Sequence, residues 1–176
     1  MHYFPSAPWP RSLKESSKLG TFLVIAVSYG AVKTVPLGGF THMFGLFVAC
    51  IPPLILLVSV LFLVKGYEVD GRKLRICRLL WSTDVSLEDL KYVHHDPVSV
   101  KCSKRIFGNA GLYSFTGIYE NKILGRFRLF GTDIDNSVVL SFPHRMVVIT
   151  LEKPTAFIHF LLQYFPNVRE GASQKK

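Results

Sequence analysis

The sequence predicts an α+β protein: a two-helix transmembrane hairpin over residues 19–64, then an antiparallel β-barrel of about seven strands with a C-terminal helix over one end. Three observations support this prediction. Apolar residues fill most of the first 64 positions, and the mean hydropathy of the whole chain is +0.29, which is high for a soluble protein. Charged residues become frequent directly after Val64. From there the apolar residues alternate with a period of two, which is typical of strands.

Two apolar stretches predict the hairpin. Residues 19–37 contain one charge, Lys33, and as a helix they reach about 28 Å, close to the thickness of the hydrocarbon core. Pro36, Gly38 and Gly39 then predict a tight turn. Residues 40–64 contain no formal charge and are long enough to span the bilayer with some tilt.

The flanking charges predict the orientation of this hairpin. Three basic residues precede the first stretch, four follow the second between Lys65 and Arg75, and the turn has only Lys33. The positive-inside rule therefore places both termini in the cytoplasm, with residues 1–18 as a cytoplasmic N-terminal segment of a multi-pass protein of the cytoplasmic (inner) membrane. An alternative is that residues 1–31 are a cleaved signal peptide, because small residues lie at 28–31. Both interpretations leave the C-terminal domain in the cytoplasm.

Pro52 and Pro53 interrupt the second stretch. Prolines remove backbone donors and bend a helix, so we expect a static kink. The alternative is a hinge or ion contact, in which His42 would be the nearby ionisable group of a membrane enzyme or transporter subunit.

Alternating and helical patterns define the rest of the chain. Phe127 and Leu129 share one face of a predicted strand, and Arg126 and Arg128 share the other. Residues 138–142 and 146–149 flank a turn and predict a hairpin. Apolar residues between 156 and 165 recur at helical spacing after Pro154, and a polar tail follows over residues 166–176.

The glycine-rich middle of the chain resembles a known family. The runs at 105–112, 117–119, 121–127 and 131–133, together with 152–157, are similar to bacterial pleckstrin-homology (PH) domain proteins of the small membrane-anchored kind. The resemblance covers about residues 67–165 and implies a PH-like fold for residues 66–165. It implies no activity and no catalytic residues. Lys153 departs from the family pattern, in which an acidic residue precedes the proline.

No motif in the sequence predicts a catalytic residue, a cofactor or a metal site. His94 and Asp96 could share one face of a strand, but two ligands do not make a metal site. Residues 133–136 lack the glycine and the distal glutamate of a calcium loop, and residues 108–117 lack a phosphate-binding pattern. The three cysteines, Cys50, Cys77 and Cys102, are expected to be reduced thiols.

The net charge of +9 is the feature that implies a partner. We expect a non-enzymatic interaction module that docks a protein partner, or assembles with its own copies, at the cytoplasmic face of the bilayer. The alternative is a sensor of anionic lipid head groups; no motif for nucleic acid is present. The candidate contacts with head groups or with a partner are basic residues of the C-terminal domain: Lys73, Arg75, Lys101, Lys104, Arg105, Arg126 and Arg128.

Overall fold

The computed structural model describes residues 1–34 and 39–171. Over these residues the chain is α+β, as the sequence predicts, with four α-helices and two β-sheets. One sheet has four strands and the other has seven. The arrangement differs from the predicted single antiparallel barrel of about seven strands.

Two long helices follow the first strand. Helix α1 covers Arg11–Thr34 and helix α2 covers Gly39–Leu61, and the two helices contact each other. Helix α1 begins eight residues before the predicted apolar stretch, and Pro52 and Pro53 lie inside α2 without ending it. The predicted turn at Pro36 and Gly38 lies outside the described residues, and Gly39 belongs to α2.

One helix of the described chain is long and apolar enough to cross a membrane. Its candidate span is His42–Leu61, with a mean hydropathy of 2.6 and only 6 % of its most apolar window buried. The described part of α1, which contains Lys14, Glu15, Lys18 and Lys33, does not meet the same criterion. The structure therefore supports one of the two predicted spans by length and composition.

The first sheet is an antiparallel meander that includes the N-terminus. Its strands are β1 (His2–Pro5), β2 (Val64–Asp70), β3 (Lys73–Arg78) and β4 (Ser82–Ser86), in the order β1-β2-β3-β4. Because β1 pairs along β2, the start of the predicted N-terminal segment 1–18 belongs to this sheet. Ala7 N donates to Thr150 O, Thr132 Oγ1 donates to Ala7 O, and Leu13 is buried.

The second sheet is mixed. Its strands are β5 (Tyr92–His95), β6 (Lys104–Leu112), β7 (Ser114–Asn121), β8 (Gly125–Gly131), β9 (Ser137–Ser141), β10 (Met146–Thr150) and β11 (Arg169–Glu170). The spatial order is β11-β5-β9-β10-β8-β7-β6. The predicted β9–β10 hairpin is confirmed. It folds back so that β10 lies parallel to β8, and β11 lies parallel to β5, so the prediction of a purely antiparallel sheet is wrong.

The core lies between the two sheets and is covered by the last helix. Helix α4 (Pro154–Tyr164) confirms the predicted C-terminal helix and contributes Phe157 and Leu161 to this core. Its N-cap, Lys153, makes no side-chain capping bond. A smaller core lies on the other face of the second sheet, beneath the short helix α3 (Pro97–Lys101). The second sheet is therefore covered on both faces.

Candidate functional site

A cleft of about 510 Å³ opens where β4 of the first sheet faces β8 and β10 of the second. Its floor is apolar, because Val85, Phe130 and Val147 are buried members of the core between the sheets. Three arginines and one histidine stand around this floor. We call this site the cationic cleft. Its lining includes Thr83, Asp84, Val85, Arg126, Arg128, Phe130, His144, Arg145 and Val147.

Strand β8 supplies two of the arginines. Alternate residues of a strand share a face, so Arg126 and Arg128 lie on the same face as Phe130, which is buried in the core. Along this face the strand changes from buried aromatic to exposed basic, because Arg126 and Arg128 are both exposed. Arg126 lies opposite Glu120 of β7, whereas Arg128 lies opposite Ile118. The guanidinium of Arg128 thus has no acidic cross-strand neighbour on β7.

The turn between β9 and β10 supplies the third arginine. Arg145 Nη2 donates to Ser86 O at the end of β4 over 3.2 Å. Its guanidinium carbon also lies 4.7 Å from the centre of the Phe142 ring, within the range of a cation–π contact. These two contacts hold Arg145 across one end of the cationic cleft, beside His144.

Strand β4 forms the opposite wall and is an edge strand. Among the described strands it pairs with β3 alone, so one edge of β4 keeps backbone donors and acceptors without a strand partner. Asp84 is the one carboxylate in the cleft lining. Its Oδ1 accepts from Arg75 Nε at 3.1 Å, and this bond raises the pKa of Arg75. Because Asp84 is already paired, the three arginines of the lining keep an excess of positive charge.

The seven basic residues predicted from the sequence do not form one patch. Arg126 and Arg128 lie in the cationic cleft, and Arg75 reaches it through Asp84. Lys73 lies on β3 opposite Ser86 and is exposed. The remaining three residues, Lys101, Lys104 and Arg105, belong to α3 and to the outer strand β6 of the second sheet.

Two of those three residues make local contacts, and the third lies opposite an acidic residue. Lys101 forms an ion pair with Asp135, which raises the pKa of Lys101. Lys104 lies opposite Glu120 in the β6–β7 register, and Arg105 Nη1 donates to Gly108 O over 3.2 Å. They are therefore better explained as local contacts than as part of a binding site.

His94 and Asp96 have a structural role. Asp96 is buried and caps α3, because its carboxylate accepts from Ser99 N at 3.1 Å and from Ser99 Oγ at 2.6 Å. His94 Nε2 lies 4.0 Å from Asp96 Oδ2, and burial lowers the pKa of His94 although Asp96 opposes this shift. Residues 1–34 and 39–171 contain no group of three or more metal-ligating side chains.

Asp133 also acts within its own turn. Its carboxylate accepts from Asp135 N and from Asn136 Nδ2 at the start of a 3₁₀ turn over Ile134–Asn136. These local bonds occupy both carboxylate oxygens of Asp133, so residues 133–136 form a capped turn.

No family model, no curated protein and no solved structure matches this chain.

Proposed function

We propose that this chain is a membrane-anchored, non-enzymatic docking module whose cationic cleft receives an acidic, extended segment of a partner protein. The main observation is the combination of three arginines with the free edge of β4 in one cleft. An extended peptide can add to a sheet edge through its backbone, and flanking pockets then select its side chains. Arginines across the cleft would select acidic side chains.

Helix α2 supports the membrane anchor. Its side chains are exposed around much of the helix, and they are almost entirely apolar, including Phe47 at 69 % and Leu54 at 59 % exposure. A 20-residue helix is about 30 Å long, which matches the hydrocarbon core of a bilayer. An exposed apolar surface of this extent requires a partner that is itself apolar.

The packing of the N-terminus supports a second crossing by α1. Residues before the apolar part of α1 are joined to the domain: β1 pairs with β2, Ser16 Oγ donates to Gly111 O at 2.7 Å, and Tyr113 N donates to Ser17 Oγ at 3.0 Å. Both ends of the helical region are therefore on the same side of the membrane. An even number of crossings follows, and α1 is the helix that can supply the second one.

The exposed side chains of α1 agree with this topology. From Leu19 to Val32 the exposed large residues are apolar or aromatic, including Phe22 at 67 % and Ile25 at 62 %, and Lys33 follows in the last turn of the helix. Arg11, Lys14 and Lys18 precede this part of the helix, and Lys65 follows α2. These charges favour a cytoplasmic position for both ends of the hairpin.

We also propose a PH-like arrangement of the domain, supported by the position of α4 in the core between the sheets.

The position of Arg126 within the cationic cleft favours a protein segment over lipid head groups at that end of the cleft. Ser114 Oγ donates to Phe62 O, so the start of β7 lies next to the end of α2. Arg126 lies opposite Glu120, six residues farther along β7. At about 3.3 Å per residue this is roughly 20 Å from the helix end. A soluble segment reaches that distance more readily than a head group does.

Binding of a synthetic peptide tests the proposal. The full chain is placed in phosphatidylcholine nanodiscs and titrated with a labelled peptide of alternating Glu and Val residues, and with a matched peptide of alternating Lys and Val residues. We expect binding of the Glu peptide alone, with an affinity that falls as salt is added because exposed charges are screened. The double variant Arg126→Glu with Arg128→Glu should abolish that binding.

The control variant carries the same change of charge elsewhere. Lys101→Glu with Lys104→Glu alters basic residues outside the cationic cleft and should leave binding of the Glu peptide unchanged. Equal losses in both double variants would show that only the net charge matters. Binding of neither peptide would refute an acidic-segment site.

A further inference from the structure

The turn between β3 and β4 exposes three large apolar side chains in succession. Leu79 is 41 % exposed, Leu80 is 73 % exposed and Trp81 is 38 % exposed. Turns of soluble domains usually consist of polar or small residues, and adjacent exposed apolar side chains mark a surface that meets a partner. These three residues are called the apolar turn below.

The apolar turn lies directly beside the end of α2. Phe62 follows the last residue of that helix, and its ring contacts the Trp81 ring edge-on, with the centroids 5.1 Å apart. The apolar surface of the candidate membrane span therefore continues from Leu61 through Phe62 to Trp81.

Arg78 stabilises the contact between Phe62 and Trp81. Its guanidinium carbon lies 5.0 Å from the Phe62 ring centre, 5.7 Å from the Trp81 ring centre and 5.4 Å from the Phe130 ring centre. The residue is 8 % exposed, and within the part of the chain that the structure describes its buried Nε has no hydrogen-bond partner. Three rings stabilise the buried cation through cation–π contacts.

The backbone of the apolar turn is also held in place. Arg78 N donates to Trp81 O over 3.0 Å and closes the turn. The turn thus presents its side chains from a fixed position relative to the end of α2. Because the backbone of the apolar turn is already fixed, little conformational entropy is lost when its side chains enter an apolar environment.

We infer that the apolar turn inserts into the interfacial region of the same phospholipid bilayer that α2 spans. This inference rests on the proposed membrane anchor. Trp is enriched at membrane–water interfaces, where its ring body is apolar and its N–H is polar. With the apolar turn as a third contact, besides the two helices, the domain is oriented on the membrane rather than free to swivel. The cationic cleft is then held at a fixed height above the lipid surface.

Fluorescence quenching by brominated phosphatidylcholine tests the inference on the full chain. The sequence contains two tryptophans, so Trp9→Phe leaves Trp81 as the only tryptophan. We expect brominated nanodiscs to reduce Trp81 emission relative to unbrominated nanodiscs. Two reference variants, both in a Trp9→Phe and Trp81→Phe background, place a single tryptophan at Phe47 in α2 or at Ile123. The first should be quenched strongly.

The Ile123 reference is matched in exposure and differs in position. Ile123 is 49 % exposed in the β7–β8 turn, at the opposite end of β7 from Ser114, and its tryptophan should not be quenched. Quenching of Phe47→Trp with unquenched Trp81 would overturn the inference while leaving the membrane anchor intact. Unquenched Phe47→Trp would instead refute the anchor, and the inference with it. Leu80→Ser should lower the quenching of Trp81, because the apolar turn loses its most exposed side chain.

Discussion

Tyr67 is a buried polar link between the two sheets, and Tyr67→Phe removes it. The side chain is fully buried on β2. Its hydroxyl donates to Phe130 O on β8 at 2.7 Å and accepts from Thr150 N on β10 at 3.1 Å. Burial raises the pKa of Tyr67 far above its ordinary value, so the hydroxyl is protonated and can donate at any physiological pH.

The expected cost follows from the groups that lose their partner. Phenylalanine fills nearly the same space, so no large cavity forms, but a buried carbonyl and a buried amide remain unpaired. Each unsatisfied buried group costs about 1–3 kcal/mol, so the two groups together predict a loss of about 2–6 kcal/mol in the free energy of unfolding. Domains of this size are stable by about 5–15 kcal/mol, so the loss is a large fraction of the total.

Urea unfolding of the full chain in detergent micelles, followed by near-ultraviolet circular dichroism, measures this cost. With a slope of about 1–3 kcal/mol per molar urea, the midpoint should fall by at least about 1 M. Tyr92→Phe is the control, because Tyr92 is 47 % exposed and its change should stay within about 0.5 kcal/mol. Equal midpoints for the two variants would refute the view that Tyr67 links the sheets.

Four further substitutions test other parts of the fold by the same unfolding measurement. Gly108→Ala should cost more than about 2 kcal/mol, because φ is +115° and a Cβ would lie 2.3 Å from Thr116 O, whereas Gly30→Ala has open space and should change stability by no more than about 1 kcal/mol. Asp96→Ala should cost about 1 kcal/mol through loss of the α3 cap. Burial raises the pKa of Tyr119 to about 12, so its contribution to stability is complete below pH 10 and is lost as the pH rises toward 12; Tyr119→Phe should show a shallower alkaline loss.

The elements that sequence patterns predict well are those with a local signal. The β9–β10 hairpin has two apolar runs on either side of a short polar turn, and α4 has apolar residues at helical spacing between Pro154 and Pro166. Both lie where the pattern places them. In each case the residues that define the element are neighbours in the chain.

The missed elements depend on distant partners. Strand β1 has four residues and ends at Pro5, and it is a strand because it lies against β2, some 60 residues later. Strand β11 has two residues and is defined by β5. The parallel pairing of β8 with β10 follows from the direction in which the hairpin folds back, and no local pattern encodes that direction.

The cationic cleft was half predictable. Alternation on β8 places Arg126 and Arg128 on one face, which the structure also shows. Arg145 escapes prediction because it lies in a turn, where a basic residue is ordinarily solvated. The free edge of β4 could not be predicted, because it depends on the order of the strands in the sheet. Arg145 becomes part of the cleft only when the second sheet brings it to Ser86, 59 residues away in the chain.

The most direct test of the acidic-segment site is photo-crosslinking in native membranes with a benzoylphenylalanine probe at His144, beside Arg145 at the end of the cationic cleft that lies away from the apolar turn. We expect an adduct with a protein, either a partner or a second copy of this chain. The adduct should be absent when the probe is at Ile123 and lost in the Arg126→Glu, Arg128→Glu variant. An adduct with lipid alone, or a protein adduct that survives the charge reversal, would refute the docking proposal.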